Sequence, residues 1–175
     1  FPNPSVAAAA IAATTNHVRI RSGSVVVPIH DPIRVAEEWS MVDNLSKGRV
    51  ELSMASGWNP NDFVLAPEQY QNRHAIMRDH IDAIKSLWHG ESISRINGVG
   101  KPFDVTLHPK PVQKDLSIWI TAAGSPESFK YAGSIGANVL THMLGKTANE
   151  LKNSVAIYRQ ALVEAGYAPE HGKVA

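Results

Sequence analysis

The chain has 175 residues, 43% of them apolar and 19% charged, which fits an ordinary globular chain and argues against a disordered segment, a collagen-like chain or a coiled coil. Seventeen Lys and Arg against sixteen Asp and Glu leave a net charge of +1, so no basic surplus draws in nucleic acid. There is no Cys, which removes disulfide scaffolds, thiolate zinc sites and a Cys nucleophile, and no apolar run reaches membrane-spanning length.

Pro4 opens a predicted helix running through residues 7–13, where Ala favours helix, and Asn16 and His17 break it. Residues 18–27 (VRIRSGSVVV) alternate and then turn continuously apolar, the pattern of a buried strand with a Gly in it. Asp31 and Pro32 supply an N-cap and a first-turn Pro for a helix over residues 33–45, which Ser46, Lys47 and Gly48 end. Residues 49–54 (RVELSM) form the next strand. After a loop, residues 68–88 read as a long helix, with Tyr70, Ile76, Met77, Ile81, Ile84, Leu87 and Trp88 on one stripe and Gly90 as its stop. Two β-like runs within residues 92–106 flank Asn97 and Gly98, a hairpin signature. A strand over 116–121, a helix over 126–135 with Ser125 as N-cap, a strand over 137–141 and an amphipathic helix over 147–164 follow. Residues 165–175 read as a loop.

Strands that alternate with helices require crossover connections and a parallel sheet. An open doubly wound sheet and a (β/α)8 barrel both accept this order. Only four strong parallel strands are visible, and neither an internal repeat nor a low-complexity linker marks a domain boundary.

In both architectures ligands bind where strands end, so the residues just after each strand are the candidates. Ser22, Gly23 and Ser24 read either as a plain β-bulge or as backbone pressed against a flat cofactor. Ser56, Gly57 and Trp58 are small residues with an odd Trp; the alternative is a Trp that plugs the end of the core. Gly124 and Ser125 precede a helix whose free N–H groups suit a phosphate, although a simple N-cap explains them too. Neither a Walker A nor a GxGxxG motif is present. His74 and His80 share no helix face, and no HExxH occurs, so no metal site is expected. His142 ends the last strand and is the histidine placed to face a pocket. Glu37, Glu38 and Asp43 read as surface or cap residues, and Lys146, Lys152 and Arg159 as solvated helix charges. No catalytic side chain is assigned.

Taken together, SGSVVVPIHDPIRVAEEWSMVDNLSKGRVELSMASGWNPNDF (residues 22–63), YQNRHAIMRDHIDAIKSLWHG (70–90), HPKPVQ (108–113) and IWITAAGSPESFKYAGSIGANVLTHMLG (118–145) resemble the bacterial luciferase-like flavin monooxygenases. The similarity points within them to the branch associated with polyketide and nonribosomal-peptide assembly lines, the MupA/Atu3671 type. The run from Pro32 to Arg49, P-x4-E-x5-D-x-L-S-x-G-R, is its most specific part. The resemblance implies a (β/α)8 barrel, a luciferase-like TIM barrel, with FMN or in relatives F420 at the C-terminal mouth. It implies a non-prolyl cis peptide at Gly23–Ser24. It places Ser56, Gly57 and Trp58 in the loop after the fourth family strand. Gly124 and Ser125 then stand where the FMN phosphate binds. Some relatives use Arg or Thr for phosphate contacts where this chain has Ser56 and Glu127. Tyr70 and Arg73 fall near a helix start that lines the flavin or substrate cavity; packing and surface charge are their alternative roles.

The chemistry so implied is reduction of flavin, attack of O2 at its C4a position and transfer of one oxygen atom to an organic substrate, small or tethered to a carrier protein. Reduced FMN would come as co-substrate from a separate flavin reductase. A cytoplasmic protein, homo-oligomeric or part of a larger multidomain chain, is the expectation. Two competing readings are an F420- or FMN-dependent oxidoreductase that transfers hydride, and a non-catalytic flavin-binding module.

A (β/α)8 barrel takes about 250 residues. The resemblance therefore makes residues 1–175 a partial barrel, the central part of a larger enzyme, incomplete at both ends. Such a part has two unpaired edges and an exposed inner face, and is expected to pair with another copy, to rest on further chain, or to be poorly stable.

Overall fold

The computed structural model describes residues 3–168 and 170–175. Phe1 and Pro2, where the sequence opens without Met, and Pro169 lie outside the described residues. The elements in chain order are α1 (Pro4–Thr14), β1 (Ile20–Arg21), β2 (Val25–Val26), α2 (Pro32–Ser46), β3 (Val50–Ala55), α3 (Arg73–Trp88), β4 (Ile93–Ile96), β5 (Pro102–Val105), β6 (Ser117–Thr121), α4 (Pro126–Ser134), β7 (Asn138–Leu140) and α5 (Ala148–Glu164). Among these helices none is long and apolar enough to cross a membrane.

The sheet decides between the two architectures. β1 and β2 pair with β3, β3 with β6 and β6 with β7, all parallel. Each new strand adds beside the previous one. A doubly wound sheet reverses its order at a switch point; a barrel never does. The progression goes one step beyond the sequence reading. Residues 173–175, expected in a loop, lie parallel to β7: Val139 N–H donates to Lys173 O at 2.9 Å and Thr141 N–H to Ala175 O at 2.8 Å. The antiparallel β4–β5 hairpin stands apart as an insertion before β6. Its turn spans residues 97–101, longer than the two-residue Asn-Gly turn expected, because Asn97 Oδ1 accepts from both Val99 and Lys101 N–H.

The strand faces divide cleanly. Ile20, Val50, Leu52, Met54, Ile118, Ile120 and Val139 face the helices and join one core. Against them pack Ala8 and Ala12 of α1, Val35, Ala36 and Trp39 of α2, Ile81, Ile84 and Leu87 of α3, Phe129 of α4, and Tyr158 and Leu162 of α5. Each large side chain fully buried there contributes about 1.5–3 kcal/mol. The alternate positions form the inner face, and they are polar. Arg21 pairs with Glu51 at 3.3 Å, and its guanidinium lies 3.6 Å from the centre of the Trp119 ring.

Two further predicted elements changed, and so did the reading of one residue. The first strand is broken: from the Arg21–Glu51 pair to the Val25–Met54 pair it advances four residues while β3 advances three. One extra residue is therefore bulged out at Ser22–Ser24. The helix predicted from residue 68 begins at Arg73, because Pro67 to Gln69 form a separate 3-10 turn, so Tyr70 leaves the apolar stripe. Asp43, read as a surface or cap residue, is fully buried.

Candidate functional site

Every loop singled out in the sequence, at Gly23, Ser56, Gly124 and His142, lies at the C-terminal edge of the sheet. A row of hydroxyls ties that edge together. Ser22 Oγ donates to Ser53 O and accepts from Ser53 N–H, both at 2.9 Å, so the side chain replaces the ladder bonds that the bulge removes. Ser53 Oγ meets Thr121 Oγ1 at 2.8 Å, and Thr141 Oγ1 donates to Ala122 O at 2.7 Å. Sequence reasoning missed Thr121 and Thr141. Their only signal was small polar residues closing otherwise apolar strands.

Gly23 has open space on the side where a Cβ would stand, and Ser24 lines a 250 Å3 cleft with Val26, His30 and Leu65. The expected non-prolyl cis bond is absent: among the described residues the cis peptide is His108–Pro109. The bulge achieves the local displacement with trans peptides, because Ser22 anchors it on both sides.

Gly57 adopts φ +79°, and a Cβ there would meet Phe63 and Val26 at 2.8 Å. Both facts demand glycine. Trp58 does not plug the core; it is 83% exposed. The loop after β3 exposes Trp58, Val64 and Leu65, and the loop after β7 exposes Met143 and Leu144, so both strand ends have an apolar rim. Ser56 is half-buried in the same loop. Arg73 Nε donates to Gly57 O at 3.1 Å and Nη1 to Tyr70 O at 2.9 Å, with the guanidinium 4.5 Å over the Tyr70 ring. Tyr70 packs edge-on against Phe63. Tyr70 and Arg73 thus fasten the Gly57–Trp58 loop.

Ser125 occupies the N-cap position of α4, yet its side chain does not cap. The hydroxyl donates instead to Glu127, and this bond, with a further one from Glu127's own N–H, holds that carboxyl below its usual range. Beyond Ser125 lies a cleft of 300 Å3 lined by His74, Arg78, Ser128 and Tyr131. Burial, then Arg73 and Arg78, keep the His74 imidazole below its usual pKa. His142 is exposed after β7. The charges read as solvated separate: Lys152 is exposed, Arg159 donates to Gly172 O at 2.7 Å, and Lys146 is half-buried beside Gly124. Among the described residues no group of three His, Asp or Glu side chains could hold a metal ion.

The arrangement suits a flat ring with an anionic tail. It offers open backbone at Gly23, an apolar rim, and a helix start with hydroxyls and cations around it. The family model described as luciferase-like monooxygenase matches residues 1–175. The chain belongs to the luciferase-like monooxygenase family.

Relatives in the family differ in cofactor. The chain is 34% identical over 142 residues to the oxygenase component of the flavin-dependent trigonelline monooxygenase of Acinetobacter baylyi, covering 79% of this chain and 39% of that protein. It is 30% identical over 132 residues to the F420-dependent glucose-6-phosphate dehydrogenase of Amycolatopsis mediterranei, covering 73% and 39%. The crystal structure of the monooxygenase RslO1 from Streptomyces bottropensis superposes with a TM-score of 0.84 at 27% identity, over 99% of this chain and 54% of that one. The chain spans less than half the length of the curated relatives it matches. This luciferase-like chain thus carries four parallel strands of a TIM-barrel fold, with the strand ends that form the family's mouth.

Proposed function

We propose that this luciferase-like chain forms the flavin-binding part of an FMN-dependent monooxygenase, and that residues 1–175 are the central part of a longer barrel. The observation that carries the reading is the convergence at one sheet edge of the open Gly23 bulge, the Trp58 loop and the start of α4 with Arg78 and Lys146 beside it. Reduced FMN, when bound, supplies two electrons to O2, so that one oxygen atom enters an organic substrate and the other leaves as water.

The chain's own residues bind and orient. Gly23 and Ser24 leave a face for the flavin ring. Ser56, Gly57 and Trp58 border it, held in place by Arg73 and Tyr70. Gly124 and Ser125 take the phosphate, with Ser128 one turn further on. The apolar rim sheds water and favours an organic substrate. No side chain needs to act as acid or base, since the cofactor carries the chemistry.

The oxygenase component among the relatives supports a separate flavin reductase as partner. The motif over residues 32–49 supports the natural-product branch and a substrate free or carrier-tethered. A cytoplasmic location and self-association belong to the same proposal. F420-dependent hydride transfer is the second reading, favoured by the F420-dependent relative.

The test is titration of the full-length protein with FMN and F420, followed by O2 uptake with reduced FMN. FMN binding with O2 consumption supports the monooxygenase. F420 binding without O2 consumption favours hydride transfer. Binding of neither cofactor removes both readings.

A further inference from the structure

Lys146 carries a charge that the fold answers only at a distance, through the Glu150 carboxylate. Its Nζ is shut off from solvent and has no hydrogen-bond partner among the described residues. The amine lies against Gly124: a Cβ built there would come within 3.3 Å of Cε and 3.6 Å of Nζ. The Phe129 ring is 5.5 Å away. A ring face returns only part of what an ammonium loses on leaving water. A desolvated cation of this kind is stabilised only when an anion meets it.

The surroundings say where that anion sits. Gly124 leads into Ser125 and the first turn of α4, where free N–H groups and the helix dipole favour negative charge. Arg78, His74 and Ser128 line the cleft at Ser125, with the Glu127 carboxylate in the same lining. The carboxylates near Lys146 are engaged elsewhere. Glu150 accepts from Thr147 N–H at 2.7 Å and from its hydroxyl at 2.8 Å. Glu127 is turned onto the Ser125 hydroxyl.

We propose that Lys146, reaching over from the loop after β7, is the cation that positions the phosphate of the bound flavin at the start of α4. The inference rests on the flavin-binding reading above. It gives the site the positive charge that Ser56 does not provide, and it makes the chain discriminate FMN from riboflavin. Gly124 matters here because its missing Cβ lets the lysine lie down.

Flavin fluorescence titrations of the full-length protein test this, with FMN and riboflavin as probes, at low and high salt. Lys146→Gln should weaken FMN binding about ten- to a hundredfold, the range for a lost charge-assisted hydrogen bond. Riboflavin binding should stay unchanged, and the salt dependence of FMN binding should shrink. Lys146→Arg should restore most of the FMN affinity. Gly124→Ala, which pushes the amine aside, should reproduce the selective FMN loss without touching Lys146. An equal loss for both flavins assigns Lys146 to packing and overturns the proposal. Unchanged FMN affinity in Lys146→Gln overturns it as well, while leaving the flavin-binding reading intact. A wild-type protein that binds neither flavin overturns that reading and the role of Lys146 with it.

Discussion

Asp43 and Gln113, 70 residues apart in sequence, are joined by two hydrogen bonds. Gln113 N–H donates to Asp43 Oδ2 at 2.9 Å and Gln113 Nε2 to Oδ1 at 2.8 Å. Val112 N–H adds a third at 2.7 Å. The carboxylate thus pins the segment entering β6 to the end of α2, and Gln113 passes the link on to Val50 O at 2.9 Å. Asp43→Ala takes the acceptor from three part-buried donors, of which Gln113 Nε2 keeps Val50 O, at about 1–3 kcal/mol for each one left unpaired before relaxation. A loss of about 3 kcal/mol or more in urea unfolding is expected. Asp43→Asn keeps one acceptor oxygen and should fall between. An Ala variant as stable as wild type would show that the pin carries no weight.

Gly57→Ala tests the loop below Trp58. The substitution places a Cβ at φ +79° and into Phe63 and Val26. Backbone strain and the clash together should cost about 2–4 kcal/mol, or displace the loop to relieve it. Displacement would lower flavin affinity even where the protein stays folded. Parallel urea unfolding and flavin titration distinguish the two outcomes, and a variant unchanged in both contradicts the geometry.

Arg73→Lys asks whether the guanidinium fork or the charge alone holds that loop. Lysine keeps the charge but cannot reach Gly57 O and Tyr70 O together. The loop should loosen, seen as faster proteolysis near Trp58. Global stability should change by about 1 kcal/mol or less, because Arg73 ties a surface loop rather than the core. Proteolysis at the wild-type rate would return Arg73 to the status of a surface charge.

Strand and helix order was legible because each period was long and each cap local. Asp31 accepts from Ile33 N–H at 2.8 Å as an N-cap should, and Thr147 with Glu150 forms a full capping box. The strand ends followed from that order. What stayed hidden depends on partners distant in sequence. Nothing near Asp43 reveals that Val112 and Gln113 bury it. Lys146 reads as a solvated charge until Gly124 and Phe129 come under it. A bulge at Gly23 was legible from the glycine, but its extra residue shows only as a register difference between two strands. Tyr70 looked helical by spacing, yet Pro67 starts its own short turn and redirects the chain.

The same substitution at two tyrosines should give opposite results. Tyr158 is fully buried and donates to Ala137 O at 2.7 Å, so Tyr158→Phe leaves a carbonyl without its partner. A loss of about 1–2 kcal/mol is expected. The Tyr131 hydroxyl is buried with no hydrogen-bond partner among the described residues, and Tyr131→Phe removes that unpaired polar group, so stability at neutral pH should hold or rise. Burial, and then Asp82, push the Tyr131 phenol up to about 12. A folded-state pKa above the unfolded value of about 10 means the native protein keeps a proton that the unfolded chain gives up. That contribution is complete below pH 10 and is lost as pH rises through 12. Wild type should therefore lose stability across this window more steeply than Tyr131→Phe in urea midpoints taken from pH 9 upward. Equal slopes in the two proteins would mean that the phenol titrates alike folded and unfolded.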